Sequence, residues 1–206
     1  MKKYELTDET IEVYGTALHR IKALKDFGNV KKGELGGYVE SERNLSQEGN
    51  CWVFGNAKVC GNAKVYGNAW VYGNAKVYDN AWVFGNAEVC DNAWVFGNAK
   101  VCGNAKVYGN AWVYGNAEVC GNAEVCGKAE VFGKADYITI KGLGSKYRNT
   151  TIFRTKENIA VKCGCFYGTL AEFVDKVKET HGNSKFAKEY LALIDLVKIH
   201  FELEDK

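Results

Sequence analysis

From Val53 to Val131 a valine stands at every sixth position, fourteen times in succession without a slip. Each valine is followed by Tyr, Phe or Cys, then most often Gly, then Asn, Ala and one of Lys, Trp or Glu. An α-helix cannot use such a period, because six residues carry a side chain well past one turn and the apolar face would drift. A short strand followed by a tight corner can. Pleating points valine to one side and its two neighbours to the other. Glycine permits the bend, and asparagine is the non-glycine residue that most readily accepts a left-handed corner. Alanine is small enough to tuck beneath it.

Three such sides close a triangular coil of 18 residues, so fourteen units of six (84 residues) make a little under five coils. At about 4.8 Å between strands the stack would be slightly over ~20 Å long. Each valine then lies on the valine one coil away, giving three inner columns. Asn56, Asn74, Asn92 and Asn110 align at one corner, where amide ladders stabilise stacked strands. The chain contains no proline, as suits uninterrupted ladders.

This phrase resembles the hexapeptide repeat of left-handed parallel β-helices, in which an aliphatic residue points inward and a small residue follows four positions later. The resemblance covers residues 53 to about 136. One departure stands out. The position after the inward aliphatic is usually small or acidic in that family, and here it is aromatic or cysteine. The stretches "LKDFGNVKKGELGGYVESERNLSQEGNCWV" and "FRTKENIAVKCGCFYGTLAEFVDKVKETHG" extend the likeness to uncharacterised hexapeptide-repeat proteins of bacteria and their phages. That likeness implies a fold and a setting, but no reaction.

A solenoid's end coils expose unpaired edges and need covers. We therefore expect three parts: residues 1–50 as an N-terminal β cap with an irregular first coil, residues 51–140 as the repeat, and residues 141–206 as a C-terminal α+β module. In the first coil Val39, Leu45 and Cys51 fall in the alanine phase, with Ser41 and Gln47 in the valine phase. At the other end Lys128 and Lys134 replace corner asparagines. In the module, "TTIFRT" and "NIAVKCGCF" read as two strands. Thr169 and Glu172 form a capping box opening a helix with Leu170, Phe173, Val174 and Val177 on one face, and Gly182 ends it. Ser184 caps a second helix carrying Phe186, Tyr190, Leu193, Ile194, Val197 and Phe201 on one stripe. Leu191, Leu196 and Ile199 lie off that stripe, so this helix is expected to pack across the solenoid or against another chain.

Charge and cysteine content narrow the function classes. With 27 basic and 25 acidic residues, nothing favours a nucleic acid or an anionic membrane as partner. "MKKYELTDET" has no apolar run behind its lysines, so it does not read as a signal peptide, and no segment matches a membrane helix. Eight cysteines then read as reduced thiols in a cytoplasmic protein. Cys102 and Cys120, one coil apart, are expected to stay unlinked because in-register strands hold their Cβ atoms nearly ~5 Å apart. Cys163 and Cys165, with His181 and His200, have the wrong spacing for a zinc site and are expected to pack under the helices.

Two enzyme families share this kind of coil. Acyltransferases of the class need a histidine base and an extruded loop, and γ-class carbonic anhydrases hold zinc with three histidines. Here His19, His181 and His200 all lie outside residues 53–136, and nothing interrupts the repeat. An antifreeze surface would need threonine arrays that the coils lack. No catalytic residue, cofactor or metal is therefore assigned. What remains is the outer surface, where Trp52, Trp70, Trp82, Trp94 and Trp112 are expected with the Tyr and Phe residues. Sorting by 18 places Tyr78, Trp94, Phe96, Trp112, Tyr114 and Phe132 on one face, an apolar patch larger than monomers normally leave open. This reading is a non-enzymatic scaffold or binding protein, self-associating as a dimer or trimer or binding a host protein through that face. A small-molecule binder for a nucleotide or sugar is the alternative. A divergent hexapeptide acyltransferase is the outsider.

Overall fold

The computed structural model describes residues 2–203 and shows a parallel β-helix flanked by two smaller elements. Every valine of the repeat is the second residue of a two-residue rung, from Trp52–Val53 to Glu130–Val131. Rungs one coil apart pair in parallel register, as Val77, Val95 and Val113 do. Coil is tied to coil by main-chain bonds, with Trp94 N donating to Ala111 O at 2.9 Å and Phe96 N to Val113 O at 3.0 Å. Three parallel sheets result, two of them five rungs deep and the third four. All fourteen valines and the alanines between them are buried, so the interior is a dry prism of small aliphatic groups.

The corners depart from expectation in one respect. Glycine, not asparagine, takes the left-handed conformation, as at Gly85 (φ 73°) and Gly103 (φ 68°). A Cβ at Gly85 would meet Gly103 N of the next coil at 3.0 Å, so both backbone angle and space call for glycine. Asparagine instead builds the ladders: Asn62, Asn80, Asn98 and Asn116 are linked side chain to side chain at 3.1–3.3 Å, and the other two corners repeat this. Where aspartate replaces glycine, its carboxylate recovers a bond to the next coil. Asp79 (φ 58°) accepts from Gly97 N at 3.1 Å, and Asp91 (φ 58°) from Gly109 N at 3.0 Å.

At the N-terminal end, strands β1 (Tyr4–Val13) and β2 (Thr16–Ala23) form an antiparallel hairpin. β2 pairs with β3 (Leu35–Val39), which continues in parallel into the first face of the solenoid. Val39 pairs with Val59 and Leu45 bridges to Val65. Both therefore occupy valine rows, not the alanine phase that counting by six assigns them. The corner after Leu45 contains two extra residues, which shifts the phase before Val53. Trp52 is also not on the surface: it is fully buried, edge-on to Tyr4 at 6.0 Å and Phe27 at 5.3 Å. The cap seals the coil by covering this ring.

The C-terminal module has four strands where two were expected: β4 (Tyr137–Leu143), β5 (Arg148–Arg154), β6 (Ile159–Cys163) and β7 (Phe166–Thr169), in one antiparallel sheet. "NIAVKCGCF" folds back on itself at Gly164 (φ 59°) and supplies two of them. Helices α1 (Leu170–His181) and α2 (Lys185–His200) cover that sheet. The capping box is formed, Thr169 N donating to Glu172 Oε2 at 2.7 Å. α2 does not cross the solenoid. Tyr190, Leu193, Ile194 and Val197 pack with the module's own strands and α1, while Leu196 and Ile199 (76% exposed) face outward. The module closes the last coil with Phe153, which joins the solenoid core. Polar side chains there meet free backbone groups: Thr151 Oγ1 accepts from Glu124 N at 3.0 Å and Tyr137 OH donates to Glu118 O at 2.9 Å. No helix of the described residues is long and apolar enough to cross a membrane.

Candidate functional site

Parallel register stacks the residues outside the valines in files, and those files make the surface. Tyr78, Phe96 and Tyr114 stack face to face at 5.0 Å, with Phe132 edge-on to Tyr114 at 5.3 Å. Trp94 and Trp112 stack beside them at 5.3 Å. The six residues expected on one face are thus brought together there. They are not all bare. Tyr78, Trp94, Phe96 and Tyr114 are half-buried against one another, and Lys76 lies over Trp94 at 4.3 Å. Only Trp112 (41%) and Phe132 (57%) are substantially open, both at the end nearest the C-terminal module. Stacking therefore absorbs much of this apolar surface within the chain itself.

The tyrosines of the next face are held by acids. Tyr72 OH donates to Glu88 Oε2 at 3.0 Å and Tyr108 OH to Glu124 Oε2 at 3.4 Å. Burial, followed by hydrogen bonding, pushes both phenols well above the usual tyrosine range.

The sulfur chemistry differs from expectation. Cys102 and Cys120 form a disulfide, their Cα atoms 4.7 Å apart. That separation lies inside the range a disulfide spans, so rung spacing permits what the Cβ estimate excluded. Glu118 lies beside the pair, but a disulfide offers no thiolate to a metal. Cys163 and Cys165 do not share a face, because the turn at Gly164 buries the first and exposes the second. Cys163 meets Thr150 Oγ1 at 3.2 Å, and His181 stacks on Tyr190 with centroids 5.9 Å apart. His200 contacts Ala135 O at 2.8 Å, and His19 contacts Thr7 O at 3.1 Å.

One groove combines an aromatic wall with charge. It has a volume of about 690 Å³ and lies between the last coils and the module. The solenoid contributes Asn110, Trp112, Lys128 and Glu130; the module contributes the β5–β6 turn (residues 155–158), Tyr167 and the start of α1. Glu130 pairs in register with Trp112, which sets the carboxylate beside the indole. Among the described residues Glu130, Lys128 and Lys156 form no ion pair. Glu172, at the rim, is held below the usual carboxylate range by the Thr169 backbone N–H and hydroxyl. Counting along the repeat could not find this groove. Its walls are some forty residues apart in sequence, and its only trace was Lys128 breaking the asparagine file.

The coils and their inward valines define the chain as a hexapeptide-repeat β-solenoid protein. Its repeat matches the YdcK β-solenoid repeat at residues 57–73 and 99–115. A protein of Escherichia coli (strain K12) described as "Uncharacterized acetyltransferase YdcK" is 39% identical over 62 residues, 26% of this chain and 19% of the relative. The chain thus spans about a fifth of that relative's length. The expectation of a non-enzymatic scaffold or binding protein is overturned by this match, since a protein similar in its repeat carries an acetyltransferase's name.

Proposed function

We propose that the chain transfers an acyl group, and that donor and acceptor meet in the groove between the last coils and the C-terminal module. The observation that carries this reading is the groove's make-up. An exposed indole and an exposed phenol line it, two lysines have no ion-pair partner, and among the described residues its carboxylates are likewise unpaired, Glu130 being the one on the solenoid wall in register with Trp112. A thioester donor such as acetyl-coenzyme A presents an aromatic base, phosphates and an apolar arm. Trp112 and Tyr167 offer ring faces to the base, and Lys128 and Lys156 offer ammonium groups to the phosphates. In transfer, an amine or hydroxyl of the acceptor attacks the thioester carbonyl and the thiolate leaves. Glu130 is the group placed to take the acceptor's proton, a role the class usually gives to histidine. The similarity of the repeat to that of a protein named an acetyltransferase supports this choice of chemistry.

Calorimetric titration with acetyl-coenzyme A tests the reading. Losing a charge-assisted contact costs about 1.5–3 kcal/mol, so Lys128→Ala and Lys156→Ala should each weaken binding ~10- to 100-fold. Glu130→Gln should leave binding intact and lower thiol release in the presence of amine or sugar acceptors. If the wild-type chain fails to bind acetyl-coenzyme A, the proposal is wrong.

A further inference from the structure

Lys3 is a lysine in an unusual place. It is 1% exposed, and among the described residues it has no carboxylate partner. Its ammonium nitrogen lies among the carbonyls of Cys51 at 2.9 Å, Glu48 at 3.3 Å and Gly49 at 3.4 Å, with the Phe27 ring centroid 5.0 Å away. The fourth neighbour is the Cys51 sulfur, at 3.2 Å. Cys51 is itself fully buried, and no other cysteine lies in the N-terminal cap. A groove of about 750 Å³ reaches the lysine side of the pair: Lys3, Phe27, Gln47, Glu48 and Gly49 line it and it opens to solvent, while Cys51 lies behind Lys3 and does not line it.

We propose that Lys3 and Cys51 form an oxidation-driven covalent cross-link, a sulfenamide, which latches the first strand of the cap to the first coil. Peroxide oxidises the Cys51 thiol to a sulfenic acid: sulfur loses two electrons, one oxygen is retained and water leaves. Lys3 Nζ, as the neutral amine, then attacks sulfur. The N–S bond forms, the S–O bond breaks, and hydroxyl departs as water with a proton from nitrogen. In sum, one thiol, one amine and one hydrogen peroxide give one sulfenamide and two waters. The nitrogen already lies at the separation of a near-attack arrangement, about 3–3.5 Å. Burial lowers the pKa of Lys3, which favours the neutral amine the second step needs. The absence of a neighbouring thiol removes the usual alternative, a disulfide. The link would join residues 48 apart and hold the ring-covered end of the solenoid shut under oxidising conditions. It is independent of the acyl-transfer groove, which lies at the other end of the coils.

Peptide mapping by mass spectrometry, after brief hydrogen peroxide treatment of the full chain, tests the proposal. The expected product is a single species joining the Lys3 and Cys51 peptides, lighter than their sum by the two hydrogens lost. Dithiothreitol should abolish it, and it should be absent from Lys3→Met, where Cys51 should instead pass on to the sulfinic acid. The exposed Cys165 serves as internal control. If Cys165 is oxidised while Cys51 is recovered unlinked from the wild-type chain, as thiol or as sulfinic acid, the proposal fails. The wild-type map decides even if the Lys3 variant does not fold.

Discussion

Replacing Val95 by aspartate places a carboxyl where the solenoid has nothing to offer it. Val95 is fully buried between Val77 and Val113, near the middle of its column. Among the described residues the buried polar ones, Lys3, Asn44, Thr150 and Thr151, all belong to the end caps, and none of them lies at this depth. Loss of the valine's burial costs about 1.5–3 kcal/mol, and an unpaired buried charge a further ~3–5 kcal/mol. The sum rivals the ~5–15 kcal/mol that stabilises a whole domain. Because each coil touches only its neighbours, a failed central coil also separates the stack into two parts, each short of the three repeats a solenoid needs. Val95→Ala is the control, since it removes two methyl groups and leaves a small cavity at a cost of about 2 kcal/mol. At ~2–4 °C per kcal/mol, the aspartate variant should melt ~6–20 °C below the alanine variant at neutral pH, followed by far-ultraviolet circular dichroism. The sign of the pH response is a second readout. Burial raises the folded-state pKa of the introduced carboxyl above its unfolded value of about 3.9. The neutral form is thus favoured in the fold, and the deficit should shrink toward pH ~4 and grow as pH rises. Equal melting temperatures for the two variants at neutral pH would refute the inward assignment of the valines.

Further outcomes follow from the same coordinates. The Cys102–Cys120 bond closes an 18-residue loop, worth about 3 kcal/mol on chain-entropy grounds; dithiothreitol should lower the wild-type melting temperature by several degrees and leave Cys102→Ser unmoved, and an identical wild-type melt with and without reductant would count against the bond. Burial, helped by Asp79, raises the Tyr78 phenol to about 12. A raised folded pKa favours the protonated form, so the stabilisation is complete below the unfolded value of about 10 and is lost as pH climbs from there toward 12. Tyr78→Phe should flatten that alkaline loss in urea titrations at pH ~9 and ~11, and an unchanged slope would remove Tyr78 as its source.

Much of the fold was legible because the repeat is its own alignment. A period of six, with valine fixed and alanine four places on, determines which side chains point inward and which residues stack one coil apart. It places Tyr78, Trp94, Phe96, Trp112, Tyr114 and Phe132 on one face before any coordinate is known. The same counting fails where the period breaks. Two extra residues after Leu45 moved Val39 and Leu45 into valine rows, and no local signal in "SQEGN" announces that shift. The division of labour at the corners was also hidden, since glycine and asparagine both tolerate positive φ and only the packing of successive corners assigns it to glycine.

The sequence by itself determined the coil, its register and the outward files of rings, because each depends on contacts between residues a constant 18 positions apart. Tertiary structure alone decided what happens to those surfaces. It buried Trp52 under Tyr4 and Phe27, bonded Cys102 to Cys120, separated Cys163 from Cys165 at a turn, and set Lys3 against Cys51. It also made the groove, by folding the C-terminal sheet over the last coils so that Lys156 and Tyr167 face Trp112 and Glu130. These are meetings between segments with no common period, and their geometry is set by how the caps dock, a property that no counting along the chain contains.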